Sequence, residues 1–323
     1  MSPTNPKRVL VLAEPGLATR SSHEALKQLE AENYDITIST RSLPLDKDGE
    51  IILSSTASET GEGNAPDIVI GVTELPRLGK NGPIAIDIES RADAALISLP
   101  GLGATRHASK VADAISTVLQ TGTEGQRTAF GARAPRWPRV LLGMIRVNRP
   151  WRLVPSLSSA MAAAAATAAF GIFFSSIWMM ATALHPARLT LITAMSIVAM
   201  TLWLIAYNRL WDPPGSRGKH THAAVYNLAT VLTVGLGVSL MYVGLYIATM
   251  IGALVVISWE YFGTTLGEPA SLADYAKLAW LSTSMGTVAG ALGSSAEDTT
   301  EIQRAAFANR ERERRSARES DDS

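Results

Sequence analysis

The sequence predicts an α/β N-terminal domain, with a mixed sheet that contains a hairpin, followed by an all-α four-helix transmembrane bundle. Short apolar runs alternate with helical patterns up to about residue 120. Long apolar stretches then occupy residues 153–295. Charge is segregated: residues 1–124 carry 17 acids and 11 bases, whereas Gln126–Trp211 contains no acid. Because bases gather on the cytoplasmic side of membrane spans, this segregation is typical of a membrane protein.

Residues 1–122 form the predicted α/β domain. "RVLVLAEPG" predicts a buried strand and a turn, and "SSHEALKQLEAE" predicts a helix in which Ser21 and Glu24 match a capping box. "YDITIST" alternates as a half-buried strand does, and residues 41–66 have the composition of a mobile loop. "DIVIGVTELP" and "GPIAIDIES" predict a hairpin around Asn81-Gly82. "AALISLP" predicts the last strand, and a helix follows it.

The turn "LPGLGATR" between this strand and this helix has two interpretations. Helix N–H groups, the Thr105 hydroxyl and the Arg106 guanidinium could hold a phosphate or carboxylate. The favoured alternative is a plain strand-to-helix turn with Thr105 as N-cap. Gly101 and Gly103 match the start of GxGxxG, but Arg106 occupies the third position and the turn follows the last strand. Both facts argue against a dinucleotide site.

Two carboxylates follow predicted strands. Glu14 comes after the first strand and Glu74 after the first strand of the hairpin, so both could line one sheet edge and do acid–base work. The candidate anion-binding residues are Gly101, Gly103, Thr105, Arg106 and Glu14.

Residues 123–152 are predicted to be a basic linker and an interfacial helix. "PRVLLGMIRVNRPWRL" mixes arginine with large apolar residues, which is typical of a helix that lies on anionic lipid. The candidate membrane-interface residues are Arg146, Arg149, Trp151 and Arg152. The predicted partner is a lipid bilayer with an anionic inner leaflet.

Residues 153–295 form the predicted transmembrane domain. Its spans are expected at about 155–184, 188–208, 224–246 and 274–293. Ala224–Ile257 lacks any charge and would be about 51 Å long as one helix, beyond a bilayer core of roughly 30 Å. It therefore predicts either a span with a bent or interfacial continuation, or a hairpin.

Bases precede the first span, separate the second from the third, and follow the last. The positive-inside rule then predicts an even number of spans, with both termini cytoplasmic, in the inner (plasma) membrane. Residues 296–323 are predicted to be a charged cytoplasmic tail with an i,i+4 pair, Glu311–Arg315.

Gly286 and Gly290 form a GxxxG pattern that lets helices approach closely. Packing within one bundle is the favoured interpretation, and the face of a homo-oligomer is the alternative. The predicted spans hold no charged side chain at mid-depth, which argues against an ion-coupled transporter.

The composition also argues against several kinds of site. The absence of cysteine excludes disulfides and cysteine-ligated zinc. The five histidines form no HExxH pair, and the HxH of His220 and His222 is typical of a solvated pair, so no metal site is predicted. No nucleic-acid partner is predicted either.

Four phrases carry a resemblance to a known family: "DIVIGVTELP", "ALISLPGLGATR", "YNLATVLTVGLGV" and "LAWLSTSMGTVAGALGSSAED". They resemble an uncharacterised actinobacterial integral membrane protein family. The resemblance implies a cytoplasmic α/β domain with a C-terminal transmembrane bundle. Some members carry the label methylene-tetrahydrofolate dehydrogenase.

Three functions remain open at this point. The favoured one is a multi-pass inner-membrane protein whose cytoplasmic α/β domain binds a small anionic ligand or a protein partner at the membrane. The second is a membrane-associated enzyme, either an oxidoreductase of the labelled kind or a hydrolase, that uses the Gly101–Arg106 turn. The third is a small-solute transporter. The sequence identifies no cofactor and does not decide whether the protein is an enzyme.

Overall fold

A computed structural model describes residues 6–29, 34–43, 51, 66–79, 82–89, 94–121, 136–211 and 220–294. The described residues form two compact units, one reaching from the N-terminal strand to Asn148 and the other made of 149–211 and 226–294. The predicted tail 296–323, with its Glu311–Arg315 pair, lies outside the described residues. So does most of the predicted loop 41–66.

The first unit is built on a five-stranded mixed sheet with the strand order β2-β1-β3-β7-β6. Its strands are β1 (Lys7–Ala13), β2 (Tyr34–Thr40), β3 (Ile68–Thr73), β6 (Ile86–Glu89) and β7 (Ala94–Ser98). β1, β2, β3 and β7 are parallel neighbours, and β6 adds an antiparallel edge strand. β3 is buried along its whole length. Its continuous apolar run is the pattern of a parallel strand covered on both faces.

The hairpin lies where its turn was predicted, but its strands are shorter than predicted and exclude the "DIVIGVTELP" strand. β4 (Arg77–Gly79) and β5 (Gly82–Ile84) form a separate antiparallel pair, whereas β3 pairs with β1 and β7. A strand as apolar as β3 needs a neighbour on each side, so it lies inside the parallel sheet instead of in a hairpin. Of the predicted turn, Asn81 lies outside the described residues.

The described part of this unit also contains the helices α1 (Leu17–Leu26), α2 (Leu99–Leu102), α3 (His107–Thr121) and α4 (Arg136–Asn148). α1 links β1 to β2 and packs on α3, and α4 packs on α2. The predicted capping box is wrong, because α1 begins at Leu17 and Ser21 and Glu24 lie inside it.

The second unit is helical. Its helices are α5 (Leu153–Ser156), α6 (Ser158–Phe173), α7 (Ser175–Ala183), α8 (Pro186–Tyr207), α9 (His220–Val256), α10 (Trp259–Leu266) and α11 (Leu272–Gly293), with the first turn of α9 falling in the first unit. α11 is central, since α6, α7 and α8 all pack on it.

Among the described residues, two helices are long and apolar enough to cross a membrane, Pro186–Tyr207 and Ala224–Val256. The number rises to three if residues 137–156 and 158–173, which are separated by a bend, form one span. α11, which contains Lys277 and the polar run of Ser282, Thr283 and Ser284, is not among these helices. The structure thus gives a helical region with two or three membrane-spanning candidates.

The predicted first span, 155–184, is divided between α6 and α7 at Phe174. The break removes helical hydrogen bonds from the preceding turn, and the Trp178 indole N–H donates to the Gly171 carbonyl at 2.9 Å in compensation. Of the two alternatives for 224–257, the hairpin is absent, because α9 is one continuous helix of 37 residues, about 55 Å long.

Candidate functional site

The carboxyl ends of β1 and β3 meet at the point where the strand order reverses. In open α/β sheets this switch point is the usual place for a ligand, and an anion there is held by the N-terminus of the first helix. Here the position before α1 is Gly16, with a positive φ of 127°. The two carboxylates noted in the sequence, Glu14 and Glu74, both lie at this edge.

Glu74 occupies the N-terminus of α1. Its Oε1 accepts hydrogen bonds from the amides of Leu17, at 2.5 Å, and Ala18, at 3.2 Å. A Cβ added at Gly16 would lie 2.5 Å from the same oxygen, so only glycine fits there. The chain's own carboxylate therefore fills the position at which a phosphate binds in other doubly wound sheets.

Glu14 holds Glu74 in this place. The Glu14 side chain is completely buried, and its Oε2 accepts a hydrogen bond from the Glu74 amide at 2.8 Å. This hydrogen bond connects the Glu14 carboxylate to the end of β3. The two glutamates form a structural connection between β1, β3 and α1, and an anionic ligand would meet their negative charge.

The glycine turn of the sequence follows β7. One helical turn, α2, comes first, and then Gly103 adopts φ 94° before α3 begins at His107. Gly101 is buried, and a Cβ there would lie 2.7 Å from the Ala85 Cα. Gly101 is therefore needed for close packing. The prediction that Thr105 is the N-cap is wrong, since Arg106, with φ 55°, directly precedes the helix.

Lys110 lies one helical turn into α3 and turns back over the glycine turn. Its ammonium donates to the Leu102 carbonyl at 2.8 Å, at the end of α2. Burial lowers the pKa of Lys110, and the guanidinium groups of Arg139 and Arg106 lower it further. Three cations from α3, α4 and the turn therefore converge at one place. We call Arg106, Lys110 and Arg139 the basic cluster.

The His107 side chain forms a hydrogen bond to the glycine turn. It is buried, and its Nε2 lies 2.7 Å from the Gly103 carbonyl, so Nε2 carries the proton and donates it. Burial is the main cause that lowers the pKa of His107. The Gly103 carbonyl opposes this, and the charges of Lys110 and Arg146 add to it. The side chain is hence a neutral hydrogen-bond donor at pH 7.

α4 covers the other side of the turn. A Cβ at Gly143 would lie 2.5 Å from the Pro100 carbonyl oxygen, so α4 and α2 touch through their backbones. The Arg139 side chain lies against Gly103, where a Cβ would come within 3.0 Å of its Cγ. The segment predicted as interfacial thus belongs to the wall of the candidate site.

Two residues of the basic cluster lie outside the predicted set, which contained Arg106 but neither Lys110 nor Arg139. Lys110 was accessible from sequence, because residues four apart share a helix face. Arg139 was not, since its place depends on tertiary packing. The structure places Gly101, Gly103 and Arg106 at one turn. Glu14 does not lie there, because its side chain accepts a hydrogen bond from the Glu74 amide at the end of β3.

The remaining predicted membrane-interface residues follow α4. Arg149 has a left-handed φ of 52°, which ends the helix, and Trp151 and Arg152 are exposed in the short 3-10 turn Pro150–Arg152.

In the helical unit, Gly286 and Gly290 lie against α6. A Cβ at Gly290 would come within 2.9 Å of the Ala160 carbonyl oxygen, and one at Gly286 would collide with that of Ala164. Both glycines therefore serve close packing inside the chain.

A polar network ties α8, α9 and α11 together. The Trp280 indole donates to the Thr193 hydroxyl at 2.6 Å, and the Tyr242 hydroxyl lies 3.0 Å from Thr193 and 2.9 Å from Ser284. These neutral groups satisfy one another, which makes them helix–helix contacts of the kind found in membranes.

Among the described residues, no group of three or more His, Asp or Glu side chains could hold a metal ion. The His220-x-His222 pair begins α9, and its side chains lie outside the described part. Comparison with protein-family models, with curated proteins and with solved structures finds no match.

Proposed function

We propose that the chain is a multi-pass protein of the inner membrane whose cytoplasmic α/β domain binds a small anionic ligand at the basic cluster. Four spans with both termini in the cytoplasm form the topology that best fits the distribution of bases along the chain. Two helices of spanning length and apolarity support the membrane part of this proposal.

One observation carries the ligand-binding part: the Lys110 ammonium and the Arg139 side chain both lie against Gly103, and the ammonium donates to the Leu102 carbonyl at 2.8 Å. Burial, and then the Arg139 and Arg106 guanidinium groups, lower the pKa of Lys110. Bringing like charges together costs free energy in the empty protein. A bound anion would remove that cost and gain charge-assisted hydrogen bonds.

The donors define the class of ligand. Arg106 and Arg139 can each bind two oxygens of a planar or tetrahedral oxyanion, whereas Lys110 contributes a point charge. The first N–H groups of α3 point toward the same turn, because the first amides of a helix have no partner within it. A phosphate or carboxylate group fits this set.

The test uses the full-length protein in zwitterionic lipid nanodiscs, titrated by calorimetry with inorganic phosphate, pyrophosphate and ATP. Binding of at least one of them is expected, and it should weaken tenfold or more in Arg106→Asn, which keeps a residue tolerant of positive φ. Lys27→Gln removes an equal charge from an exposed position of the same unit and should leave affinity within about twofold.

Absence of binding by all three probes would contradict the proposal. So would equal weakening by Arg106→Asn and Lys27→Gln, because general charge and not the turn would then attract the anion.

A further inference from the structure

α4 has two apolar sides, although a helix that only covers the domain needs one. The first side packs inward: Val140, Met144 and Val147 are buried, and Gly143 touches α2. Outside it lies a second set of large apolar side chains. Leu142 is 56% exposed and Trp137 is 38% exposed, and Leu141 and Ile145 are half-buried beside them. We call these four residues the outer face of α4.

Two bases flank the outer face. Arg139 and Arg146 are seven residues apart, which is about two helical turns, so they lie on the same side of α4 with Leu142 between them. α4 contains no acid. Arginine beside tryptophan and leucine is the combination that binds a surface both apolar and negatively charged.

The order of the helices along the chain indicates which apolar and negatively charged surface lies near the outer face. Residues 149–157 alone connect α4 to α6, and the chain then passes into the helices that include both candidate spans. The outer face therefore belongs to the same chain as two candidate membrane spans, and the nearer of them begins at Pro186. The headgroup region of an anionic leaflet offers negative charge and acyl chains together, and indole rings prefer that depth.

We infer that the outer face of α4 docks into the headgroup region of an anionic bilayer while the inner face of the same helix stays packed on the α/β domain. This docking does not require the anion site. The apolar residues that carry it, Trp137 and Leu142, are separate from Arg106 and Lys110.

The chain has no cysteine, so Leu142→Cys creates a unique attachment site for a nitroxide. Full-length protein is reconstituted into vesicles that contain phosphatidylglycerol or only phosphatidylcholine. Power saturation compares collisions of the label with oxygen, which partitions into lipid, and with a water-soluble nickel chelate. Gln120→Cys, at an exposed position of α3, is the matched control.

With phosphatidylglycerol, the oxygen-to-nickel ratio at position 142 should exceed that at position 120 several-fold, and it should fall in phosphatidylcholine. Each base near an anionic surface contributes about a fivefold gain. Replacing Arg139 and Arg146 by glutamine should hence shift the docked-to-free ratio about 25-fold, whereas the exposed Arg20→Gln should not.

Two results would overturn the inference. If position 142 is as open to the nickel chelate as position 120 in anionic vesicles, the outer face does not dock. If position 142 is immersed equally in both lipids, α4 is inserted irrespective of charge, as part of a span. The lipid comparison needs no arginine variant, so it stands even if those variants fail to fold. Phosphate binding measured on the Leu142→Cys samples, in which the basic cluster is unchanged, reports separately on the proposed function.

Discussion

Two turns leave the sheet of the α/β domain through glycines with positive φ, and they carry opposite charge. At Gly16, the amides that begin α1 are bonded by Glu74. At Gly103, three cations converge and α4 contributes one of them. Both turns precede helices, so a glycine and a helix N-terminus do not by themselves decide whether a turn binds anions. The two turns differ in the side chains that reach them from elsewhere in the chain, Glu74 at the first and Arg139 at the second.

Removing Glu74 gives the largest expected effect on this contrast. Glu74→Ala leaves the Leu17 and Ala18 amides without their acceptor in a largely buried place, and this should cost about 2–3 kcal/mol in the stability of α1. Glu74→Gln keeps an oxygen acceptor and should cost about half as much. Hydrogen exchange of α1 amides in the full-length protein measures both.

The matched control is Glu24→Ala, because Glu24 is an exposed acid on α1 itself. If α1 amides exchange equally in Glu74→Ala and Glu24→Ala, Glu74 is not the cap that closes this turn. If Glu74→Ala also creates phosphate binding that Arg106→Asn leaves intact, the first turn is an anion site that Glu74 blocks.

The sequence predicted much of this domain and little of its chemistry. Periodicity located β1, β2, β7 and the helix after the glycine turn, since their patterns are local. The cap of α1 was missed because Glu74 is 57 residues away from Leu17 along the chain. Arg139 was missed for the same reason. The capping-box motif at Ser21 predicted the wrong helix start, because the distant Glu74 carboxylate caps α1 at Leu17 instead.

The helical unit shows the same division between local and distant information. The pattern that predicts close approach at Gly286 and Gly290 is local, and the structure supplies the partner, the alanine stripe of α6 that contains Ala160 and Ala164. The break at Phe174 was not predicted, because the long apolar run around it carries no signal of a helix end.

His107 supplies a pH dependence that only the basic turn should show. Its pKa is lowered in the folded protein, chiefly by burial, so the unfolded chain binds more protons near pH 6. Stability should therefore be complete above pH 6.5, the ordinary pKa of histidine, and should fall as pH drops from 6.5 toward 5.5. Hydrogen exchange of α3 amides across this range measures the loss.

His107→Gln tests the origin of that loss. Glutamine keeps an amide donor for the Gly103 carbonyl but does not titrate, so exchange in α3 should lose its slope between pH 5.5 and 6.5. His23, exposed on α1, is the control, and His23→Gln should leave the slope unchanged. An equal slope in wild type and His107→Gln would assign the dependence to other groups.

The smallest expected effect is a gain in stability, whereas most substitutions lower the stability of a protein. Arg106→Asn removes one of the two guanidinium groups that oppose the Lys110 charge, so the empty domain should become more stable by about 0.3–0.5 kcal/mol. Arg106 is exposed and asparagine tolerates its left-handed φ, so neither packing nor backbone strain should mask the gain. Denaturant unfolding monitored at α3 measures the gain with and without phosphate. A cluster held together only by packing would lose stability in Arg106→Asn under both conditions. A cluster built for an anion should gain stability without phosphate and lose that advantage when phosphate saturates the wild type, because the ligand stabilises only the protein that binds it.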